Sequence, residues 1–155
     1  MTSVLLLLAV TTLYAGYNLL VKVSGDHVPA AASTTVLATI TLQVAALMTS
    51  LVFTAILLSR GGQQLQLSLP AYAWAAGAGL CIGAAEICYF YLFGGIGGRE
   101  PMAASVAIPV VVSGTIVITA LVSLLVFRES LTWMQVLGLG FVVVGIALIF
   151  LKRIN

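Results

Sequence analysis

The sequence predicts an all-α membrane protein, with five transmembrane helices forming a single domain over residues 1–155. Composition is the first observation: 62% of the 155 residues are apolar and only 6% are charged, whereas a soluble domain carries about 25% charged residues. The second observation is length, because five apolar stretches approach or exceed the ~20 residues that a bilayer-spanning helix needs. They cover residues 3–23, 30–58, 70–94, 102–126 and 132–151.

The first predicted helix, 3–23, becomes polar towards its end. Tyr14, Asn18 and Lys22 recur at steps of four and therefore share one helix face, with Tyr17 beside them. Polar groups in lipid are directed towards a partner or a cavity, so these four are candidate ligand-binding residues. Two simpler interpretations stay open: the tyrosines anchor the helix at the membrane interface, and Lys22 snorkels towards water.

A polar link over residues 24–28 follows, and His27 is expected to be solvated in it. Pro29 then suits the first turn of the second helix, 30–58, because its missing N–H costs nothing there. This helix is longer than a bilayer requires and is expected to tilt or protrude. Its hydroxyls can bond back to the preceding turn, but the amide of Gln43 cannot. Gln43 therefore bonds another helix or lines a cavity.

The third predicted helix, 70–94, carries Glu86 well inside an apolar stretch and begins at Pro70. An ionisable group at membrane depth costs roughly 3 kcal/mol or more, so a partner, a water-filled cavity or a bound cation must compensate. Glu86 is the first candidate for a functional residue, and Tyr89 follows it by three positions. Gly79 and Gly83 are spaced for close helix packing.

The fourth helix, 102–126, follows Pro101 and contains Pro109, which removes one backbone hydrogen bond and is expected to kink it. Such a kink marks a substrate path or is a packing feature. Before the fifth helix, 132–151, Glu129 and Ser130 are expected to cap its N-terminus. Gly138 and Gly145 leave a smooth groove on one face, which predicts a helix–helix contact, including one between subunits.

Helix depth brings some of the polar residues together. If the first helix is centred near Leu13 and the third near Ile82, the rise of ~1.5 Å per residue places Asn18 ~7 Å and Glu86 ~6 Å from the midplane, on the same side. Tyr17, Asn18 and Glu86 are therefore expected to line one cavity, provided that the two helices are neighbours.

Several classes of function find no support in the sequence. The two cysteines, Cys81 and Cys88, suit buried fillers rather than a disulfide or a metal site. No Ser/His/Asp set, metal-ligand pattern or nucleotide loop is present. We therefore expect no enzyme activity, no cofactor, no metal and no nucleic-acid partner. The lipid bilayer and a small-molecule substrate are the expected partners.

Four segments resemble the drug/metabolite transporter superfamily, in particular a single five-helix repeat of the EamA type. They are Tyr14-Ala15-Gly16-Tyr17-Asn18 with Lys22; Gly83 to Tyr91 around Glu86; Ala104-Ser105 with Pro109; and Phe127 to Thr132 running into Gly138, Gly140 and Gly145. Most relatives join two such repeats of opposite topology. The resemblance implies that this chain pairs with a second copy, or with a homologous half, as an antiparallel dimer. The small multidrug resistance branch carries its acid in the first helix, whereas this chain carries Glu86 in the third.

Five helices put the two termini on opposite sides of the membrane, and the basic residues divide nearly evenly between the sides. One side holds the N-terminus with Arg60 and Arg128; the other holds Lys22, Arg99, Lys152 and Arg153. So weak a bias permits insertion in both orientations. The expected location is a prokaryotic inner membrane.

Two functions from different classes follow from the sequence. The first is a small secondary transporter or exporter that works by alternating access as a dimer. The second is a non-transporting accessory subunit of a larger membrane complex, in which Glu86 clamps a partner helix.

Overall fold

A computed structural model describes residues 2–95 and 100–151, and within these residues the chain is all-α. Its helices are α1 (Thr2–His27), α2 (Ala32–Ser59), α3 (Leu69–Gly94), α4 (Ala104–Leu125) and α5 (Trp133–Leu151). The predicted all-α class and the order of the helices are confirmed. The first four helices are long and apolar enough to cross a membrane, and α5 is shorter at 19 residues. Arg99, Lys152 and Arg153, used above to compare the two sides, lie outside the described residues.

The end of α1 differs most from the prediction. The helix continues through the expected polar link to His27, whose ring nitrogen Nδ1 donates to the Val23 carbonyl at 2.8 Å. Lys22 and Asp26 form an ion pair one turn apart on the same helix. These polar side chains find their partners within the same helix, so they do not interrupt it. The placement of His27 in a loop was therefore wrong.

The prolines mark helix starts less closely than predicted. Pro70 lies in the first turn of α3, as expected. Pro29 precedes α2, which begins at Ala32, and its carbonyl accepts hydrogen bonds from the Ala31 N–H at 2.7 Å and the Thr34 hydroxyl at 2.6 Å. Pro101 likewise precedes α4, which begins at Ala104. Each of these prolines therefore lies three residues before the first residue of its helix rather than within the first turn.

The cap of α5 is also not the one predicted. Thr132 and Gln135 form a reciprocal capping box, in which Gln135 Oε1 accepts from the Thr132 N–H at 2.7 Å and Thr132 Oγ1 accepts from the Gln135 N–H at 3.4 Å. Glu129 instead donates its backbone N–H to the Ser123 carbonyl at 3.0 Å, in a turn where Arg128 takes a φ of 54°. The cap therefore lies closer to the helix than Glu129 and Ser130.

The chain forms two compact units, Met1–Pro101 and Met102–Asn155. In the first unit α3 is central and packs against both α1 and α2. The second unit is the pair α4 and α5. In the first unit α1 and α3 run parallel, since Asn18 meets Tyr89 and Gly25 meets Phe93 in the same direction along both helices.

Hydroxyl side chains on α1 and α2 are mostly satisfied within their own helix, as the sequence predicts. Each donates to the carbonyl four residues earlier, at 2.8–3.1 Å: Thr11, Thr12, Thr35, Thr39, Thr41, Thr49, Ser50 and Thr54. Such hydroxyls need no partner from another helix.

Gly25 is where α1 and α3 approach most closely among the described glycines. A Cβ atom on Gly25 would lie 2.8 Å from Phe93 Cβ and 3.6 Å from the Phe93 carbonyl carbon. Both atoms lie on or next to the α3 backbone, so neither can swing aside. Phe93 itself is fully buried. A residue without a side chain is therefore required at this contact.

We predict that Gly25→Ala lowers the free energy of unfolding by about 1–3 kcal/mol, because the added methyl group overpacks the contact with Phe93. Gly16→Ala on the same helix is the matched control, since a Cβ there meets no atom within 4 Å. Alanine favours a helix over glycine by about 1 kcal/mol, so the control is expected to be neutral or stabilising. Thermal unfolding in detergent, followed by size-exclusion chromatography, measures both; equal melting temperatures would contradict the predicted contact.

Candidate functional site

Buried polar side chains gather where α1 packs against α3. Glu86 is 4% exposed, Tyr89 6% and Asn18 8%, and Tyr17 faces Glu86 from α1. The expectation that Tyr17, Asn18 and Glu86 lie at one level on neighbouring helices agrees with this arrangement. We refer to Tyr17, Asn18, Glu86 and Tyr89 as the polar cluster.

Asn18 holds the cluster together through both ends of its amide. The Tyr89 hydroxyl donates to Asn18 Oδ1 at 2.9 Å, which joins α3 to α1. Asn18 Nδ2 donates to the Tyr14 carbonyl at 2.9 Å, one turn earlier on the same helix. The amide is thereby fixed in orientation, and Tyr89 is fixed with it.

Glu86 is placed differently, because its carboxyl group lacks a partner. Glu86 Oε2 and the Tyr17 hydroxyl are both buried, and neither has a hydrogen-bond partner among the described residues. The Tyr17 hydroxyl and the Glu86 carboxyl group face each other where α1 meets α3. One acceptor and one donor are thus left over at the same place, where leaving a buried polar group unpaired costs ~1–3 kcal/mol. This arrangement suits the binding of a proton, a water molecule or a cationic group.

Lys22 lies beyond the cluster, near the end of α1. It pairs with Asp26, and its ammonium nitrogen lies 5.6 Å from the centre of the Phe93 ring. The Phe93 ring in turn packs against Tyr89, with 4.8 Å between ring centres. Lys22 therefore interacts with Asp26 and with the face of the Phe93 ring, and not with Glu86. The sequence analysis missed Asp26, although its spacing of four from Lys22 is a recognised ion-pair signal.

Tyr14 is not part of the buried cluster. Its side chain is 61% exposed and meets the Tyr17 ring edge to face, with 6.2 Å between ring centres. Only its backbone carbonyl contributes, by accepting from Asn18. This placement favours the anchoring or packing role that the sequence analysis left open for tyrosine.

Gln43 lies on α2 and faces α3 at Gly83, on a different side of α3 from α1. Its Nε2 atom is 3.1 Å from the position that a Cβ on Gly83 would occupy, so the absence of a side chain at Gly83 makes room for the amide. Gln43, Gly79 and Gly83 line a 320 Å³ cleft between the two helices, and Glu86 does not. A Cβ atom added to Gly79 would meet no atom within 4 Å. The structure therefore does not bring Gln43 together with Glu86.

A larger cavity, the α1–α2 groove, lies between α1 and α2. Its volume is 730 Å³, and Phe90 of α3 contributes to its lining. The Tyr17 ring forms part of its wall, while the Tyr17 hydroxyl faces Glu86. Tyr17 therefore stands between the groove and the carboxyl group. The sequence analysis missed this groove, because most of its walls are ordinary apolar residues that carry no motif.

The remaining predicted residues belong to the second unit. Pro109 lies inside α4, as expected. Gly138 and Gly145 are on α5, and a Cβ on either would meet no atom within 4 Å. No contact with the part of the chain that the structure describes explains these two glycines, and their role between subunits stays a prediction.

Neither a search for metal-ligand groups nor comparison with known proteins assigns a further function. Among residues 2–95 and 100–151, no group of three His, Cys, Asp or Glu side chains could hold a metal ion. Comparisons with family models, curated proteins and solved structures found no match. The functional argument therefore depends on the geometry of the polar cluster and the groove.

The bond between Tyr89 and Asn18 can be tested by a double-mutant cycle with Tyr89→Phe and Asn18→Leu. We expect a coupling energy of about 0.6 kcal/mol, and at most about 1.7 kcal/mol, the range found for hydrogen bonds between membrane helices. Thermal or denaturant unfolding in detergent provides the measurement. Tyr72→Phe is the control, because Tyr72 is 53% exposed on the same helix. A coupling energy of zero would show that the two side chains do not support each other.

Proposed function

We propose that the chain is an integral membrane protein and acts as a small secondary transporter or exporter of a small metabolite or drug-like molecule. Four long apolar helices support its placement in a membrane. The observation that carries the transport role is Glu86, a carboxyl group that is 4% exposed and whose Oε2 has no hydrogen-bond partner among residues 2–95 and 100–151. At membrane depth a charge costs roughly 3 kcal/mol or more. Reversible binding of a proton or a cation explains why a carboxyl group is present at that depth despite its cost.

The residues around Glu86 have distinct roles in this proposal. Glu86 binds the proton or the cationic group of the substrate. Tyr17 offers its hydroxyl to the same ligand and separates Glu86 from the α1–α2 groove. Asn18 and Tyr89 are positioning residues, since their mutual bond fixes α1 against α3. Pro109 weakens α4 by one backbone hydrogen bond and so permits the bending that alternating access requires.

An antiparallel dimer completes the transporter in this proposal. The partner is a second copy of the chain or a homologous half, and the expected location is a prokaryotic inner membrane. The resemblance to a single five-helix repeat motivates the dimer. The open glycines of α5, Gly138 and Gly145, are where a second helix could approach closely.

The burial of Glu86 favours transport over the accessory-subunit alternative. A carboxyl group that clamps a helix of another protein should lie on the outer surface of its own chain. Glu86 instead lies between helices of this chain and faces Tyr17. A carboxyl group that is buried between helices of one chain suits a ligand site better than a docking contact.

Glu86→Gln tests the central residue, because it keeps the shape of the side chain and removes its charge and its proton. In vesicles with an imposed pH gradient, we expect the rate of uptake of a fluorescent organic cation, used as the probe, to fall by at least about tenfold, or ~1.4 kcal/mol. The dependence of the remaining flux on pH should disappear. The matched control is Glu129→Gln, at an exposed acid outside the helices. Full flux with unchanged pH dependence in Glu86→Gln would remove the proposed role.

Orientation tests the antiparallel dimer. Cys81 and Cys88 are exposed in the structure, so the expectation that they are buried was wrong and both must be removed. On a background without them, Ala30→Cys and Gln64→Cys place single thiols at exposed positions beyond the two ends of α2. If the chain inserts both ways, an impermeant thiol reagent should label each position in about half of the molecules in intact cells. Labelling at only one of the two positions would exclude the antiparallel homodimer and leave a pair with an oppositely oriented homologous half.

A further inference from the structure

We propose that the α1–α2 groove binds one acyl chain of a membrane lipid, with the lipid head group at the end of the groove formed by Ser24, His27 and Thr34. This site is separate from the proton or cation site at Glu86. It follows from the shape of the groove, from the distribution of its polar groups and from its length, in a chain that is embedded in a membrane.

The groove exists because α1 and α2 each pack against α3 and leave a space between them. One face of each helix lines it, and the buried ring of Phe90 lies beneath. Its volume of 730 Å³ lies within the range of about 300–1,000 Å³ that is usual for ligand-binding cavities. The groove is partly open, so a lipid can enter it sideways from the bilayer.

The end of the groove formed by Ser24, His27 and Thr34 is its most polar part. His27 lies there, with the ion pair of Lys22 and Asp26 close by on the same helix end. The middle and far parts are lined by side chains such as Leu20, Leu37 and Leu42. This distribution matches a lipid, whose polar head group lies at the membrane surface and whose acyl chain runs towards the midplane.

The hydroxyls along the groove do not alter its apolar character. Thr34 donates to the carbonyls of Pro29 and Ala31, and Thr41 donates to the carbonyl of Leu37. Tyr17 directs its hydroxyl towards Glu86. A water-soluble polar molecule would therefore find few free partners beyond the His27 end, whereas an acyl chain needs none.

Dimensions favour an acyl chain over a helix from a second protein. From Leu13 to His27, both in the lining, α1 rises ~21 Å, which exceeds the ~15 Å of hydrocarbon in one leaflet. Spread over that length, 730 Å³ corresponds to a mean cross-section of ~35 Å². A helix ~10 Å wide needs about 80 Å². One extended acyl chain can therefore lie within the groove along its length, whereas a helix would have to lie mostly outside it.

A bound acyl chain would cover the Tyr17 ring and Phe90 on the side that faces the bilayer. Glu86 lies behind Tyr17. The lipid thus forms the outer wall of the polar cluster and keeps water from reaching Glu86 sideways.

Photocrosslinking tests the site in the full-length chain. The protein is reconstituted in vesicles of phosphatidylethanolamine and phosphatidylglycerol with a trace of phosphatidylcholine that carries a diazirine in one acyl chain. After irradiation, adducts are mapped by mass spectrometry. Leu37 lines the groove and is 62% exposed, whereas Leu47 is 58% exposed on the same helix and does not line it. We expect the adduct yield at Leu37 to exceed that at Leu47 by about fivefold, because a held chain exchanges more slowly than bulk lipid.

A pair of variants on α2 makes the test specific. Ala38→Phe fills the groove, and Ala46→Phe adds the same side chain outside it. We expect Ala38→Phe to abolish the preference for Leu37, and Ala46→Phe to leave it unchanged, because only a ring at position 38 occupies the space that the acyl chain would take. Equal yields at Leu37 and Leu47 in the wild-type protein would overturn the proposal. This wild-type comparison remains decisive if Ala38→Phe does not fold.

Discussion

A carboxyl group without a partner, held inside an apolar helix unit, is the constraint on which the rest of the first unit depends. Glu86 is tolerable there only because α1 covers it with polar side chains, and those side chains are held in place by Asn18 and Tyr89. The net value of one such hydrogen bond is small, about 1 kcal/mol. Its importance lies in orientation, since it sets the rotation of α1 about its axis and so the direction in which Tyr17 points.

Small residues on either side of α3 allow this arrangement. Gly25 lets the end of α1 approach Phe93, and Gly83 makes room for Gln43 from α2. Helices in lipid gain little from burying apolar surface, so close packing of this kind provides much of their association energy. The same central helix therefore joins a tight contact with α1, a cleft with α2 and the carboxyl group on which function is proposed to depend.

The sequence predicts the individual helices better than it predicts which faces of those helices pack against each other. Helix count and class follow from apolar length, and the level shared by Asn18 and Glu86 follows from the helical rise. Lys22 and Gln43 could not be placed, because spacing along one helix does not reveal which face of the next helix it meets. The extension of α1 through Asp26 to His27 was missed because polar residues can be satisfied along the helix as well as in a loop. The α1–α2 groove depends on how far α1 and α2 lie apart. The positions of apolar residues in the sequence do not predict that separation.

The parallel pairing of α1 with α3 also bears on how the chain is made. Of the four long helices, α3 has the least apolar membrane-length segment, and it carries Glu86. Alone, it is the helix that a translocation channel would release into lipid least readily. Its polar partners Tyr17 and Asn18 belong to α1, which is synthesised before α3 and is therefore present when α3 emerges. In the proposed membrane protein, insertion of the third helix would thereby be coupled to the presence of the first, and the order of synthesis would favour the pairing on which the buried carboxyl group depends.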